Sequence, residues 1–188
     1  DLWKFNTTTN EWTWVTGTNT VSAIGVYGTL GVGSTTNTPG ARSRAVSWVD
    51  ANGNFWLHGG YGFGTTTTGG NLSDLWKFNP TTLEWTWVSG TNVIESVGVY
   101  GTKGVPSTAN RPGSRGNASS FMDLSGNLWL FGGNGHATAA TVAKLNDLWK
   151  FNPTTLEWTW ISGSNALGAG STYGVKGAPS TTNIPSGR

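Results

Sequence analysis

A hexapeptide recurs three times in this chain at a constant spacing of 73 residues. Asp1-Leu2-Trp3-Lys4-Phe5-Asn6 returns as Asp74 to Asn79 and again as Asp147 to Asn152. Residues 74–90 and 147–163 differ only at Val88 against Ile161. Residues 1–17 depart from 74–90 at Thr7, Asn10 and Thr16. The register runs through the connecting segments too: Tyr27, Tyr100 and Tyr173, Pro39, Pro112 and Pro185, and Arg42, Arg115 and Arg188 are the same positions. An internal repeat of this kind constrains the fold more than any propensity, because each unit must bury itself against its neighbours.

Within one unit the pattern predicts four short strands. Arg115–Asp123 is a first strand, followed by a turn at Ser125-Gly126-Asn127, as at Asn52-Gly53-Asn54 one period earlier. Gly and Asn supply the left-handed backbone that a tight hairpin needs. Asn127–Phe131 is a second strand, closed by Gly132-Gly133. Asp147–Asn152 is a third, with Leu148 and Lys150 on one face and Trp149 and Phe151 on the other, as a period of two requires. Asn152-Pro153-Thr154-Thr155 is a turn, and Glu157–Ser162 a fourth strand with Trp158 and Trp160 on one face. No stretch carries a helical period.

A single four-stranded sheet cannot bury both of its faces, whereas like sheets stacked around an axis can. The expected fold is therefore all-β: a β-propeller segment of four-stranded antiparallel blades, about two and a half of them. Residues 1–41 read as a half-blade plus long loop, 42–114 as a blade, and 115–188 as a blade plus long loop. The chain opens at a third strand and stops where a first strand begins. It is expected to join further blades of the same longer chain or other copies of itself.

The linked features resemble the kelch repeat family. Gly59-Gly60 and Gly132-Gly133 close the second strand. An aromatic, a Pro-Thr turn and a Trp seven positions after the aromatic follow in Phe78-Asn79-Pro80-Thr81-Thr82-Leu83-Glu84-Trp85. Arg42 and Arg115 head the first strands, preceded by Pro39 and Pro112. Kelch repeats run near 50 residues; the extra length here lies at about Gly90–Gly113 and Asn134–Asn146. Those two connections emerge on the same side of a blade, the side that commonly binds partners in kelch proteins.

Composition narrows the function. Eleven cations against nine anions, with no basic cluster, give no electrostatic footprint for nucleic acid. No apolar run approaches the roughly 18 residues of a membrane span. The absence of Cys excludes disulfides, thiolate metal sites and cysteine nucleophiles, and with them the cysteine-linked tyrosine chemistry of galactose oxidase. Low charge with abundant Thr, Ser, Gly, Asn and Trp suits an extracellular or cell-surface protein of bacterial, secreted type.

Catalytic residues are not evident, and no metal or cofactor is expected. Glu11, Glu84 and Glu157 are one repeated position, as are Asp1, Asp74 and Asp147. Repetition in every unit argues for structure, since an active site needs its residues once. His58 and His136 do not share a repeat position, and Glu95 is unique to one long loop. Asp50-Ala51-Asn52-Gly53-Asn54 and Asp123-Leu124-Ser125-Gly126-Asn127 resemble calcium loops faintly, but no acidic residue completes the cage.

The candidate ligand-binding residues are the loop tyrosines Tyr27, Tyr100 and Tyr173 and the strand-head arginines Arg42, Arg44 and Arg115. Tyr offers contact area at low entropy cost, and the tyrosines look available. The competing structural reading has the tyrosines clamp the loops, and Arg42 and Arg115 bond between blades. The function expected is a non-enzymatic binding or structural scaffold contacting protein or glycan, with self-assembly as a further mode. The alternative implied by the resemblance is a sugar-processing enzyme of the mutarotase type, with its site in the channel of a complete propeller.

Overall fold

The computed structural model describes residues 1–188 and contains strands and turns but no helix. The first hairpin pairs β1 (Leu2–Asn6) with β2 (Glu11–Thr16). Segment 17–41 contributes β3 (Gly33–Ser34), and the next unit holds β4 (Arg42–Ser43), β5 (Val46–Val49), β6 (Phe55–His58), β7 (Tyr61–Phe63), β8 (Gly69–Asn71), β9 (Leu75–Asn79) and β10 (Glu84–Ser89). The last holds β11 (Arg115–Gly116), β12 (Ser119–Met122), β13 (Leu128–Gly135), β14 (Ala143–Asn152) and β15 (Glu157–Ser162). All pairing is antiparallel, and none of the sheets closes on itself.

The predicted fourth strand, Glu157–Ser162, has the observed bounds. The first strand breaks in two, because Asn117 and its counterpart Arg44 take left-handed φ values of 56° and 61°. The second and third strands run further than expected. Segment 134–146, expected as a loop, continues the ladder at its two ends, with Gly133↔Leu145, Asn134↔Lys144 and Gly135↔Ala143 in register, and only 136–142 lie outside the strands.

Turn chemistry explains the hairpins. Asn79 Oδ1 accepts from the amides of Thr81 and Thr82, and Leu83 N donates to Asn79 O at 2.8 Å. The inner hairpin is organised by Asp50. Its carboxylate accepts from the Asn52 and Asn54 amides, the Asn54 side chain and Trp56 Nε1. Asp123 repeats the set with Ser125, Asn127 and Trp129. These carboxylates are saturated by their own turn, which accounts for the residues that resembled a calcium loop.

Period-two alternation gives each sheet two apolar faces, and successive sheets meet through them. Trp76, Phe78 and Trp85 cluster with Tyr27 against Leu2 and Val15 of the first hairpin. The opposite face of the middle sheet packs Trp48, Trp56 and Leu75 against Leu128, Leu130, Trp149, Phe151 and Trp158 of the last. Trp56 and Phe151 rings lie 5.7 Å apart, and Trp48 Nε1 donates to Phe121 O at 3.0 Å. Truncating such an aromatic typically costs about 3–5 kcal/mol, so this stack is the main source of stability.

Gly59 and Gly60 are required at the junction. Their φ values are 63° and 95°, a region Gly enters freely. A Cβ on Gly59 would sit 2.6 Å from Arg115 O. That approach lets Gly60 N donate to Arg115 O and Arg115 N to Leu72 O, joining the backbones of two units.

Candidate functional site

Each long connecting segment lies against the sheet that follows it. In segment 17–41, β3 pairs with the outer strand β10, and Asn37 Nδ2 donates to Trp85 O. Segment 90–114 does the same through the Ser107↔Trp158 bridge and the bond from Asn110 Nδ2 to Trp158 O.

The anchor of each segment is a buried aspartate. Asp74 accepts from Arg42 Nη1 at 2.6 Å and Nη2 at 2.8 Å, from Tyr27 Oη at 2.6 Å and from Trp76 Nε1 at 2.7 Å. Asp147 accepts from Arg115 at 2.7 and 2.8 Å, from Tyr100 Oη at 2.6 Å and from Trp149 Nε1 at 2.7 Å. Burial by itself would raise both carboxyls; the facing guanidinium and the hydrogen bonds outweigh it and hold them below the usual carboxylate range. Burial, then the adjacent carboxylate, pushes the Tyr27 and Tyr100 phenols well above theirs. Each Arg also donates to the carbonyl of the first Gly of the pair, Gly59 or Gly132.

Four of the six sequence candidates are therefore engaged inside the fold by a buried aspartate. Tyr27 and Tyr100 are each 4% exposed rather than available on the loops. Arg42 and Arg115 are consumed by an aspartate of their own unit rather than bonding between units by their side chains. The physical reason is the aspartate, whose buried charge demands donors from three directions. Tyr173, at the same repeat position, is exposed, and Arg44 is exposed as well.

Arg44 borders a cavity of about 720 Å³ between the first hairpin and the inner strands of the middle sheet, with Thr18, Ile24, Ser47, Val49 and Phe55. Arg42 lines the same cavity but is paired with Asp74, whereas Arg44 is exposed.

A second polar cluster breaks the repeat. Glu95 accepts from Asn71 N at 2.8 Å, and its other oxygen contacts His136 Nε2. Burial raises the Glu95 carboxyl, but the His136 and Asn71 bonds prevail and leave it lowered. The counterparts of Glu95 are Ser22 and Gly168, and that of His136 is Phe63. Sequence reading singled out both residues but not their contact; their shared absence from the other units is the signal that could have paired them. His58 is buried with neither ring nitrogen bonded, its ring 5.6 Å from Trp158. Burial, reinforced by Arg115, lowers its pKa to about 3, so it is neutral. Nowhere do three or more His, Asp or Glu side chains gather as a metal site would require. No helix is long and apolar enough to cross a membrane.

No family model matches the chain, and no curated protein matches it. Among solved structures it is similar to one described as the structure of YjhT, at 18% identity and a TM-score of 0.47. The match covers 66% of this chain and 39% of that one, so the chain spans well under two thirds of that structure's length.

Proposed function

We propose that the chain is part of a kelch-type β-propeller that serves as a non-enzymatic extracellular scaffold, presenting its long segments to a protein or glycan. The observation that supports this most is the anchoring of those segments. The tyrosine, arginine and aspartate of the two complete clusters are spent on fixing segments 17–41 and 90–114, ribbons about 25 residues long, to a rigid sheet, roughly the length of loop that carries function when it is ordered. Ordered ribbons bind with little entropy cost. Four antiparallel strands per unit, stacked face to face by aromatic residues, is the arrangement that a propeller blade requires.

A sugar-processing enzyme of the mutarotase type is the second reading. It is favoured by Arg44 on the 720 Å³ cavity, an exposed cation beside apolar walls. One experiment separates the two. The chain is screened for saturable binding to extracellular glycans and proteins by calorimetry, and for interconversion of sugar anomers by NMR, with Arg44→Ala as the comparison. A scaffold binds without turnover and tolerates Arg44→Ala. Anomer interconversion that is lost in Arg44→Ala would replace the scaffold by the enzyme.

A further inference from the structure

A cavity of about 330 Å³ opens where the outer edges of the middle and last units meet. Four pieces of chain wall it. Leu30 and Gly31 come from segment 17–41, and Val88, Ser89 and Gly90 from the end of β10. Thr108, Asn110 and Arg111 come from segment 90–114, and Leu156 from the last outer hairpin.

Arg111 is the one cation of this lining, and the fold leaves it unsatisfied. Its Nε is buried without a hydrogen-bond partner. Arg42 and Arg115 send the same nitrogen to Gly40 O and Gly113 O. The ion pairs of the chain are Arg42–Asp74, Arg115–Asp147 and His136–Glu95, none of which involves Arg111. None of the nine lining residues is acidic. A sealed N–H without an acceptor costs about 1–3 kcal/mol, and more on a charged group, so a ligand that brings an acceptor recovers that cost. The base of the side chain is already ordered. Arg111 N donates to Val99 O and Arg111 O accepts from Val99 N, each at 2.9 Å. Asn110 Nδ2 ties the same stretch to Trp158 O. Little ordering is left for a ligand to impose.

Two departures from the repeat meet here. Position 111 is Thr38 and Ile184 in the other units, and position 30 is Lys103 and Lys176. Lys103 Nζ donates to Gly163 O at 2.9 Å and lies 4.2 Å from the Trp160 ring centre, spanning from its segment to β15. Leu30 has no ammonium to do the same, and Gly90, the counterpart of Gly163, borders the cavity instead. Unlike the repeated tyrosine, arginine and aspartate, these residues occur once, as a binding site requires.

We propose that this cavity binds a small carboxylate with a short aliphatic arm, the carboxylate on Arg111 and the arm against Leu30, Val88 and Leu156. A guanidinium matches a carboxylate through two parallel hydrogen bonds. The volume stands at the lower end of small-molecule pockets, about 300–1,000 Å³, and is far too confined for a protein surface of roughly 800 Å². Two sources carry this chemistry, a simple short-chain acid and an amino acid. The place that Lys103 fills with its ammonium is open at Gly90, which favours the amino acid. The site goes beyond the scaffold reading, since it needs the middle and last units stacked but no macromolecular partner.

The test is titration of the chain with leucine, 4-methylpentanoate and 4-methylpentanamide, followed by NMR. Leucine should bind saturably and shift the signals of Val88 and Arg111. The amide, which lacks the charge, should bind at least about tenfold more weakly. Arg111→Thr, the residue that position 38 carries, should lower the affinity for leucine at least about tenfold. Lys150→Met removes a cation elsewhere in the last unit and should leave that affinity unchanged. Nuclear Overhauser contacts between the Trp56 and Phe151 rings report whether each variant keeps its stacked sheets. If Arg111→Thr loses them, Arg111→Lys decides in its place, and loss of the planar fork should weaken binding about threefold or more. Tighter binding of 4-methylpentanoate than of leucine makes the ligand a simple acid and supports the carboxylate site. Three results overturn it: no saturable binding of either carboxylate up to about 10 mM, equal binding of the amide, or binding that survives loss of the Arg111 guanidinium.

Discussion

Arg115 meets Asp147 through two parallel hydrogen bonds of 2.7 and 2.8 Å, with neither side chain exposed to solvent. A buried pair of this kind stabilises little in net terms, because desolvation offsets the attraction, but losing one partner strands the other. Asp147→Ala should therefore cost about 3–5 kcal/mol. Asp1→Ala, at the same repeat position but exposed, should stay within about 0.5 kcal/mol in the monomer. Urea denaturation of both variants at low protein concentration checks the contrast.

Tyr100 gives the second expectation. Its hydroxyl donates to the same carboxylate, and a hydrogen bond to a charged group contributes about 1.5–3 kcal/mol. Tyr100→Phe should lose stability in that range. Both buried phenols also have raised pKa values in the fold. A raised value means that the stability is fully present below the unfolded tyrosine pKa of about 10 and is lost as pH rises towards the folded value. Ultraviolet titration should find Tyr27 and Tyr100 protonated in alkali until the chain unfolds.

His58 sets the acid limb. Its folded pKa of about 3 lies below the unfolded value of about 6.5. The unfolded chain then binds the proton first, so stability falls as pH drops from about 6.5 towards 3. The lowered carboxyls of Asp74 and Asp147 add a further loss below about pH 4, where the unfolded carboxyls protonate. His58→Phe, the residue that position 131 carries, removes two unbonded ring nitrogens. It should raise stability by about 1 kcal/mol at neutral pH and flatten the decline between pH 6.5 and 4, as read from urea midpoints across that range.

Glu95 holds segment 90–114 to Asn71 and His136. Because the carboxylate is partly exposed, solvent screens the contact, and Glu95→Gln should cost about 1 kcal/mol or less. The local effect is larger than the global one. The Asn71 amide, which donates to Glu95 Oε1, should exchange its hydrogen faster in the variant, while that of Trp149 should not change.

The strands were legible because alternation shows in the residues: Trp149 and Phe151 inward, Leu148 and Lys150 outward. The continuation of β13 through Gly132–Gly135 is not legible this way, since glycine has no side chain to alternate, and the sequence of 134–146 reads as a loop. Tyr27 and Tyr100 read as surface residues because a phenol suits either setting. The fixed offset from each to an aspartate of the next unit was visible, but the aspartate's burial was not. The Glu95–His136 contact joins two segments whose approach depends on how successive sheets are seated, and no spacing rule yields it.

Everything rests on successive 73-residue units sharing one core through their faces. A double-mutant cycle on Trp56 and Phe151, whose rings lie 5.7 Å apart across the middle and last sheets, measures that sharing directly. A coupling free energy of about 0.5–1.5 kcal/mol between Trp56→Ala and Phe151→Ala is the expected result. Additive losses, with no coupling, would mean that the two sheets do not meet and that the stacked architecture is wrong.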